Sequence, residues 1–480
     1  MQTSFKKKSL SAVMWSGASI FMRQGLQFVV AIVLARLLSP EEFGTFALLY
    51  LFTGIAFTLV EGGFSSALVQ QAEISQTDES TVFWINLFMG VLLTLLLWII
   101  APWIASFYEV PVLVTLARVL AFTVLIDALG SVHRAILGKK LEFKVFLKIS
   151  VYASVFGAIV AITMAIKGYG LWALAAQMVT TSVITTILLW HYSGWRPTWE
   201  FSFDSAKKLF SFGSFLMLAG LLDVAYTRIY TLLIGKLYGV RDLGFYSRAD
   251  NTKQIPVDIL SHTLASATFP IFAAAAHDKE KVRRGLQLSV RGAMLINIPV
   301  MLGLLATSTH VVTVLFGEKW LPSVPLLQIL CLVGLLWPLH VLNLNVLKAL
   351  GHSRLFFNLE IIKKVIGIAM LLAAIPYGML GIAWSQVIFG AVSFWINAFY
   401  TKRYIGYGFI SQIRDFLPVL IVSLTMAYVV YWIGEHMQNS SFWILPLQVI
   451  TGVIIFIVLC IMFRIKSFHI ARDLLLHRYS

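Results

Sequence analysis

The sequence predicts an all-α integral membrane protein of about 14 transmembrane helices, arranged as two pseudo-symmetric six-helix lobes plus two C-terminal helices. Three observations support this prediction. The 480 residues are 59% hydrophobic and only 12% charged, whereas soluble domains carry about a quarter charged residues. The apolar stretches are of spanning length and lack the period of two that marks strands, so helices are expected to cross the bilayer. Finally, one sequence motif returns 200 residues later.

The duplicated motif is the basis for the two lobes. The stretch 34–46 returns as 234–246, with a cation, an acid and a glycine at matching positions: Arg36 and Lys236, Glu42 and Asp242, Gly44 and Gly244. Two further matches keep nearly this spacing: Leu137-Gly138 with Leu350-Gly351, and Ala176-Gln177 with Ser385-Gln386. An internal duplication is therefore predicted over roughly residues 10–190 and 207–403, and such repeats are common in transporters.

The predicted helices follow one another through short connections. They cover residues 12–36, 44–70, 81–106, 112–137, 146–166, 169–190, 208–235, 244–275, 285–316, 324–350, 355–375, 378–401, 416–434 and 443–463. Lys and Arg indicate the orientation, because cytoplasmic loops carry an excess of them. A cytoplasmic N-terminus places 22 of these cations in cytoplasmic segments and five on the opposite side. Both termini are then cytoplasmic, and the net charge of +15 reflects topology and does not indicate nucleic-acid binding.

The helices divide as six, six and two. The predicted N-lobe is residues 1–192, a cytoplasmic linker follows at 193–207, the C-lobe is 208–403, and residues 404–480 hold the last two helices and the tail. Because six is even, both lobes enter the membrane in the same direction, and an axis along the membrane normal is expected to relate them.

Ten cations and six acids fall inside the predicted helices. A charge at mid-bilayer costs about 2.5–3.5 kcal/mol on insertion scales, so these side chains must snorkel, pair or line water. Lys348, Lys363 and Lys364 lie near enough to a cytoplasmic helix end for snorkelling to be the simplest interpretation. Asp127 and Arg134 share a helix face, which favours partial neutralisation of one by the other.

The eighth predicted helix carries a polar stripe, because Arg248, Asn251, Gln254, Asp258 and His262 fall on one face. Either this stripe lines a water-filled cleft or its side chains bond neighbouring helices. The excess of cations suits an anionic substrate, and arginine suits phosphate because it offers paired donors and a permanent charge. The candidate substrate-binding residues are Arg23, Gln27, Arg118, Arg134, Arg228, Arg248 and Asn251, and the candidates for ion coupling are Glu61, Asp223 and Asp258.

Catalytic and metal-binding motifs are absent from the sequence. It contains no Gly-x-x-x-x-Gly-Lys phosphate loop, no His-Glu-x-x-His and no Gly-x-Ser-x-Gly. Cys331 and Cys460 lie inside apolar runs and are expected to be small core residues. We therefore expect a transporter that has no ATPase motif and no enzymatic activity. We also expect neither a cofactor nor a metal.

Several stretches also resemble a known family. The most specific are 34–44, 246–250, 267–270, 315–320 and 325–336. On these the chain resembles the polysaccharide and lipopolysaccharide flippases of the multidrug/oligosaccharidyl-lipid/polysaccharide export superfamily, and it is most similar to their colanic acid exporter branch. The resemblance implies an inner-membrane, alternating-access transporter of an undecaprenyl-pyrophosphate-linked oligosaccharide. It also implies substrate-binding arginines in the first, second and eighth helices. Arg23 and Arg248 match by place, but the second helix carries Glu61 instead.

The resulting hypothesis is a flippase that moves a lipid-linked oligosaccharide from the cytoplasmic to the periplasmic leaflet. Its expected partners are that substrate, membrane lipids, and a polymerase and export machinery, with no nucleic acid. A multidrug antiporter of the same architecture is one alternative, although organic cations favour carboxylates over arginines. A membrane polysaccharide polymerase or ligase is another, although the predicted outward loops are short for glycosyl transfer.

Overall fold

The computed structural model describes residue 22 and residues 24–61, 63–71, 74–437 and 441–476. Within these ranges the chain forms helices and turns and no strand, which confirms the all-α fold class. Twelve helical stretches are long and apolar enough to cross a membrane, and one of them, Ser353–Ile405, contains two helices. The first predicted span, 12–36, lies largely outside the described residues.

Contacts between Cα atoms divide the chain into two compact units, residues 1–247 and 248–480. The helices of the first unit are α1 Gln24–Leu37, α2 Pro40–Glu61, α3 Phe64–Gln70, α4 Gln76–Tyr108, α5 Leu113–Lys139, α6 Phe143–Ile166, α7 Leu171–Ser193 and α8 Phe203–Leu237. Helix α9, Val240–Ala274, starts in this unit and continues into the next. The predicted lobe boundaries come from the sequence duplication, whereas the two units are defined by contacts. The lobe boundaries therefore remain predictions.

The second unit contains α10 Lys279–Ala306, α11 Ser308–Val311, α12 Val324–Ala349, α13 Ser353–Ala374, α14 Gly378–Ile405, α15 Phe409–His436, α16 Ser441–Met462 and α17 Lys466–Leu476. Its core joins apolar side chains of α10, α12, α14 and α15. Polar bonds also tie α15 to this core, since Asn343 and Gln412 exchange two hydrogen bonds of 2.8 and 3.0 Å.

The predicted span 44–70 is wrong as a single helix. Helix α2 ends at Glu61 and α3 starts at Phe64, with two glycines between them. A Cβ on Gly63 would lie 3.0 Å from the carbonyl oxygen of Gly213 on α8. The glycine break therefore allows the backbones to approach within a distance that a side chain would prevent.

The predicted span 285–316 also ends earlier than expected. Helix α10 stops at Ala306, where the Thr307 hydroxyl donates to the Gly303 carbonyl at 2.8 Å. The one-turn helix α11 follows, and the chain then forms a π-helix at Val312–Phe316. Periodicity did not reveal this change because the whole stretch remains apolar.

The segment 194–202 between α7 and α8, here called the strap, is held in place by side-chain contacts with α4. Trp195 is buried in the core of the first unit, and its indole N–H donates to Gln76 Oε1 at 3.0 Å. The Trp84 indole N–H donates to the Thr198 carbonyl at 2.9 Å. The strap is thereby fixed along the first turns of α4, immediately before α8 begins.

Candidate functional site

The two copies of the duplicated motif contact each other at the starts of α2 and α9, within residues 1–247. A Cβ on Gly44 would collide with the Val240 carbonyl, and a Cβ on Gly244 would collide with the Pro40 carbonyl. Arg241 and Glu41, which also occupy matching repeat positions, form an ion pair of 3.1 Å. The offset of 200 residues relates the two glycine contacts to each other, because it converts Gly44 and Val240 into Gly244 and Pro40, as a local two-fold arrangement requires.

Half-buried charged side chains lie on α2 and α5 of the first unit. Arg134 on α5 forms an ion pair with Glu61 on α2, and its guanidinium also lies 5.8 Å from the centre of the Phe57 ring. Asp127 accepts a hydrogen bond of 2.5 Å from the Ser182 hydroxyl of α7. The expected Asp127–Arg134 neutralisation is therefore replaced by partners from other helices. Seven residues along a helix separate side chains by about 10 Å, so neighbouring helices supply closer partners.

The other two candidate arginines of the first unit lie against aromatic rings. The Arg118 guanidinium is 4.6 Å from the centre of the Trp98 ring, and that of Arg228 is 5.6 Å from Tyr50. Asp223, a candidate for ion coupling, is exposed on α8, as is Arg228. A cation over an aromatic face is attracted to the ring and keeps its charge. The Arg118 Nε also donates a hydrogen bond of 3.5 Å to the Trp98 carbonyl.

Arg248 is the best-defined candidate of the second unit. Its side chain is buried, and its guanidinium lies 4.9 Å from the ring centre of Phe316 and 5.1 Å from that of Trp320. Both rings are fully buried. They flank Gly317, whose φ of +97° is a conformation that glycine adopts readily. The end of the π-helix and the 3₁₀ helix that follows it thus place one aromatic ring each beside this arginine.

The remaining residues of the polar stripe differ in their surroundings. Asn251 and His262 are exposed, whereas Asp258 is half-buried and accepts a hydrogen bond of 2.6 Å from Gln254. Of the first predicted helix, Gln27 is exposed on α1, and Arg23 lies outside the described residues. The structure therefore groups Arg134 with Glu61, and Gln254 with Asp258, while the assignment of all these residues to substrate or ion stays a prediction.

The sequence interpretation missed a polar cluster on α12, α13 and α14. It treated Lys363 as a snorkelling side chain, but Lys363 is only 6% exposed and its ammonium lies 2.5 Å from Glu360. His340 and Asn397 belong to the same group of helices, with their side-chain nitrogens 3.3 Å apart. The spacing of Glu360 and Lys363 by three residues was the available signal.

Metal binding gains no support from the described part of the chain, where no three His, Cys, Asp or Glu side chains are grouped to hold an ion. Cys331 and Cys460 are free and buried, as expected for core residues. Between α14 and α15, Tyr407 donates a hydrogen bond of 2.6 Å to Asp415. Burial, followed by this carboxylate, raises the pKa of the tyrosine.

Comparisons with known proteins agree with this architecture. The chain is 29% identical over 470 residues to the teichuronic acid biosynthesis protein TuaB of Bacillus subtilis, covering 95% of this chain and 96% of that protein. It is 27% identical to the succinoglycan biosynthesis transport protein ExoT of Rhizobium meliloti, covering 88% and 86%. The solved lipid II flippase MurJ, in an inward closed conformation, superposes with a TM-score of 0.74 at 16% identity, covering 95% of this chain and 98% of that one.

The chain is thus a multi-pass helical membrane protein with the fold seen in MurJ. The family model described as polysaccharide biosynthesis protein matches residues 33–325, more than half of the sequence. The chain belongs to that family, and the kinship predicted from its motifs is confirmed.

Proposed function

We propose that this protein is an inner-membrane flippase that moves an undecaprenyl-pyrophosphate-linked oligosaccharide from the cytoplasmic to the periplasmic leaflet. Membership of the polysaccharide biosynthesis family is the observation that carries the proposal. The similarity to a succinoglycan biosynthesis transport protein, and the fold shared with a lipid II flippase, agree with it. Both termini are cytoplasmic in this proposal, and a polymerase and export machinery are its downstream partners.

The arginines give the proposal its chemistry. A pyrophosphate cannot enter hydrocarbon without compensating cations, and a guanidinium offers two parallel donors to each phosphate. Arg134 already pairs with the carboxylate of Glu61. An anionic ligand would replace this carboxylate, so Arg134 has a partner both with and without the ligand. Arg118 and Arg228, supported by aromatic rings, present further positive charge. No ATP is needed in this scheme, and alternating access carries the headgroup across.

Reconstituted flipping of a defined lipid-linked sugar tests the proposal. Proteoliposomes containing the purified protein should transfer undecaprenyl-pyrophosphoryl oligosaccharide between leaflets, measured by accessibility of the sugar to a membrane-impermeant enzyme. Arg248→Ala and Arg134→Ala should slow this transfer about tenfold or more, since each removes roughly 1.5–3 kcal/mol of charged hydrogen bonding. Arg284→Ala provides the matched control, because this arginine is exposed on α10 and pairs locally with Glu280.

Two results would overturn the proposal. The first is an inert protein that binds no lipid-linked sugar although it is folded and correctly inserted. The second is export of organic cations without any flipping, which would favour a multidrug antiporter. Normal transfer by all arginine variants at normal abundance would refute the site assignment alone.

A further inference from the structure

One cation of the first unit lies on a surface that is otherwise apolar and exposed. The guanidinium of Arg118 on α5 lies on the Trp98 ring of α4, 4.6 Å from the ring centre. The exposed side chains within about one turn of these two residues are Leu95, Leu96, Ile99 and Pro102 on α4, and Thr115, Val119 and Phe122 on α5. Only Thr115 is polar, and its hydroxyl donates to the Val112 carbonyl. Such a surface on membrane-spanning helices faces lipid chains.

Arg118 has no anionic partner among the residues that the structure describes. Its Nε donates the long hydrogen bond to the Trp98 carbonyl, and neither of its Nη groups donates to a described residue. The acids of α4 and α5 are distant or engaged elsewhere. They are Asp78 and Glu79 in the first turn of α4, Glu109 at its end, which pairs with Lys236, and Asp127, which accepts the bond from Ser182. An uncompensated cation in hydrocarbon is costly, so an anion of the surrounding membrane would stabilise this one.

Tryptophans mark two levels of the membrane on α4, because this residue prefers the membrane–water interfaces. At the first level, Trp84 stacks on the exposed Trp199 of the strap, with ring centres 4.7 Å apart. At the second, the exposed Trp103 lies 19 residues further on, which is about 28 Å along a helix. This spacing matches a hydrocarbon core of about 30 Å. Trp98 lies about 7 Å inside the second level, so the Arg118 guanidinium lies at the edge of the hydrocarbon.

We propose that Arg118 and Trp98 form a binding site for the phosphate group of a membrane phospholipid. The two Nη groups offer the paired donors that suit a phosphate, and the indole holds the guanidinium in place beneath them. The exposed apolar side chains of α4 and α5 receive the acyl chains of the same lipid. Snorkelling alone would extend the arginine toward the level of Trp103, whereas its guanidinium lies on Trp98, further inside. The site does not depend on the proposed function, since the phospholipids of that leaflet have direct access to this surface.

Quenching of Trp98 by a brominated lipid tests the site. Phosphatidylglycerol with dibrominated acyl chains is titrated into the purified protein in dodecyl maltoside micelles. The emission of Trp98 is the difference between a protein and its Trp98→Phe variant, and it should fall as the lipid binds. Arg118→Gln should raise the lipid concentration at half-quenching about tenfold, because charged hydrogen bonds to the phosphate are lost. Arg118→Lys keeps the charge without the paired donors and should fall between the two.

Arg284→Gln is the matched control, because this arginine is exposed on α10 and pairs locally with Glu280. It should leave the quenching curve of the wild type unchanged. Equal curves for Arg118→Gln and the wild type, each measured against its own Trp98→Phe blank, would overturn the proposal. That result would reduce the contact to ordinary packing of lipid chains on an apolar helix surface.

Competition on the wild type identifies the source of the phosphate and needs no variant at Arg118. Unlabelled phosphatidylglycerol should restore the emission of Trp98, whereas diacylglycerol with the same chains and inorganic phosphate should not. Restoration by diacylglycerol would show a contact with chains alone, and restoration by inorganic phosphate would show a site for a free anion. Restoration by undecaprenyl pyrophosphate at far lower concentration than phosphatidylglycerol would assign Arg118 to the lipid-linked substrate. Each of these three results would overturn the proposal, and none of them bears on flipping, which the experiment does not measure.

Discussion

At the scale of single residues, three charged side chains have partners on other helices. Arg134 pairs with Glu61, Asp127 accepts a hydrogen bond from Ser182, and Arg291 pairs with Asp415. In each case the two residues lie on different helices. Sequence spacing predicts partners within one helix, because only those distances are fixed before folding. The types of residue that must be compensated were therefore predictable, but the identity of the compensating group was not.

The Glu61–Arg134 pair provides a stability prediction. Arg134→Met should lower the free energy of unfolding by about 1–3 kcal/mol, because it leaves a largely enclosed carboxylate without its cation. Adding Glu61→Gln to this variant should recover part of the loss, since the uncompensated charge is then gone. The measurement is the Tm of the purified protein in detergent. Equal Tm values for the single and double variants would show that the pair does not act as a unit.

At the scale of helices, glycines determine where two backbones meet. The sequence marked Gly44 and Gly244 as matching positions of a repeat, and the structure shows that both lie at the contact between α2 and α9. Repeat positions were predictable from the constant offset. The contact between the two copies of the motif was not predictable. A constant offset shows that two positions are equivalent, but it does not show that they pack against each other.

A glycine-to-alanine pair tests this contact. Gly44→Ala should destabilise the protein and reduce the folded yield, because its methyl group would overlap the Val240 carbonyl, which cannot move aside as a side chain would. Gly292→Ala is the matched control in α10, where an added Cβ meets nothing within 4 Å. That change should be neutral or stabilise by about 0.5–1 kcal/mol through helix propensity. A Tm for Gly44→Ala equal to that of the wild type would contradict the close approach.

At the scale of the whole molecule, the fold class and most of the spans were predictable, because length and hydropathy dominate in a membrane. Two predicted spans failed where the chain stays apolar but leaves the α-helix, at the glycines after Glu61 and at the π-helix before Gly317. A pattern of apolar and polar residues does not show where the backbone leaves the α-helix within an apolar stretch. This explains both errors. The orientation of the chain remains a prediction from its cations.

Thiol labelling tests the orientation with little background, since Cys331 and Cys460 are both buried. Glu318→Cys should react with a membrane-impermeant maleimide added to intact spheroplasts, because this residue is exposed in the predicted periplasmic connection. Lys281→Cys, exposed in a predicted cytoplasmic connection, should react only after permeabilisation. The reverse pattern would place both termini outside.

The strap between α7 and α8 restricts how the protein can move. Trp195 is buried in the core, and the Thr198 carbonyl accepts a hydrogen bond from Trp84 of α4. The chain is therefore held in place immediately before α8. A displacement of the N-terminal end of α8 would have to move α4 as well, or remove the Trp195 indole from the core. We therefore expect bending during a transport cycle at other places. Pro256 and Pro270 lie inside α9, and because proline has no backbone N–H, each removes one hydrogen bond from that helix.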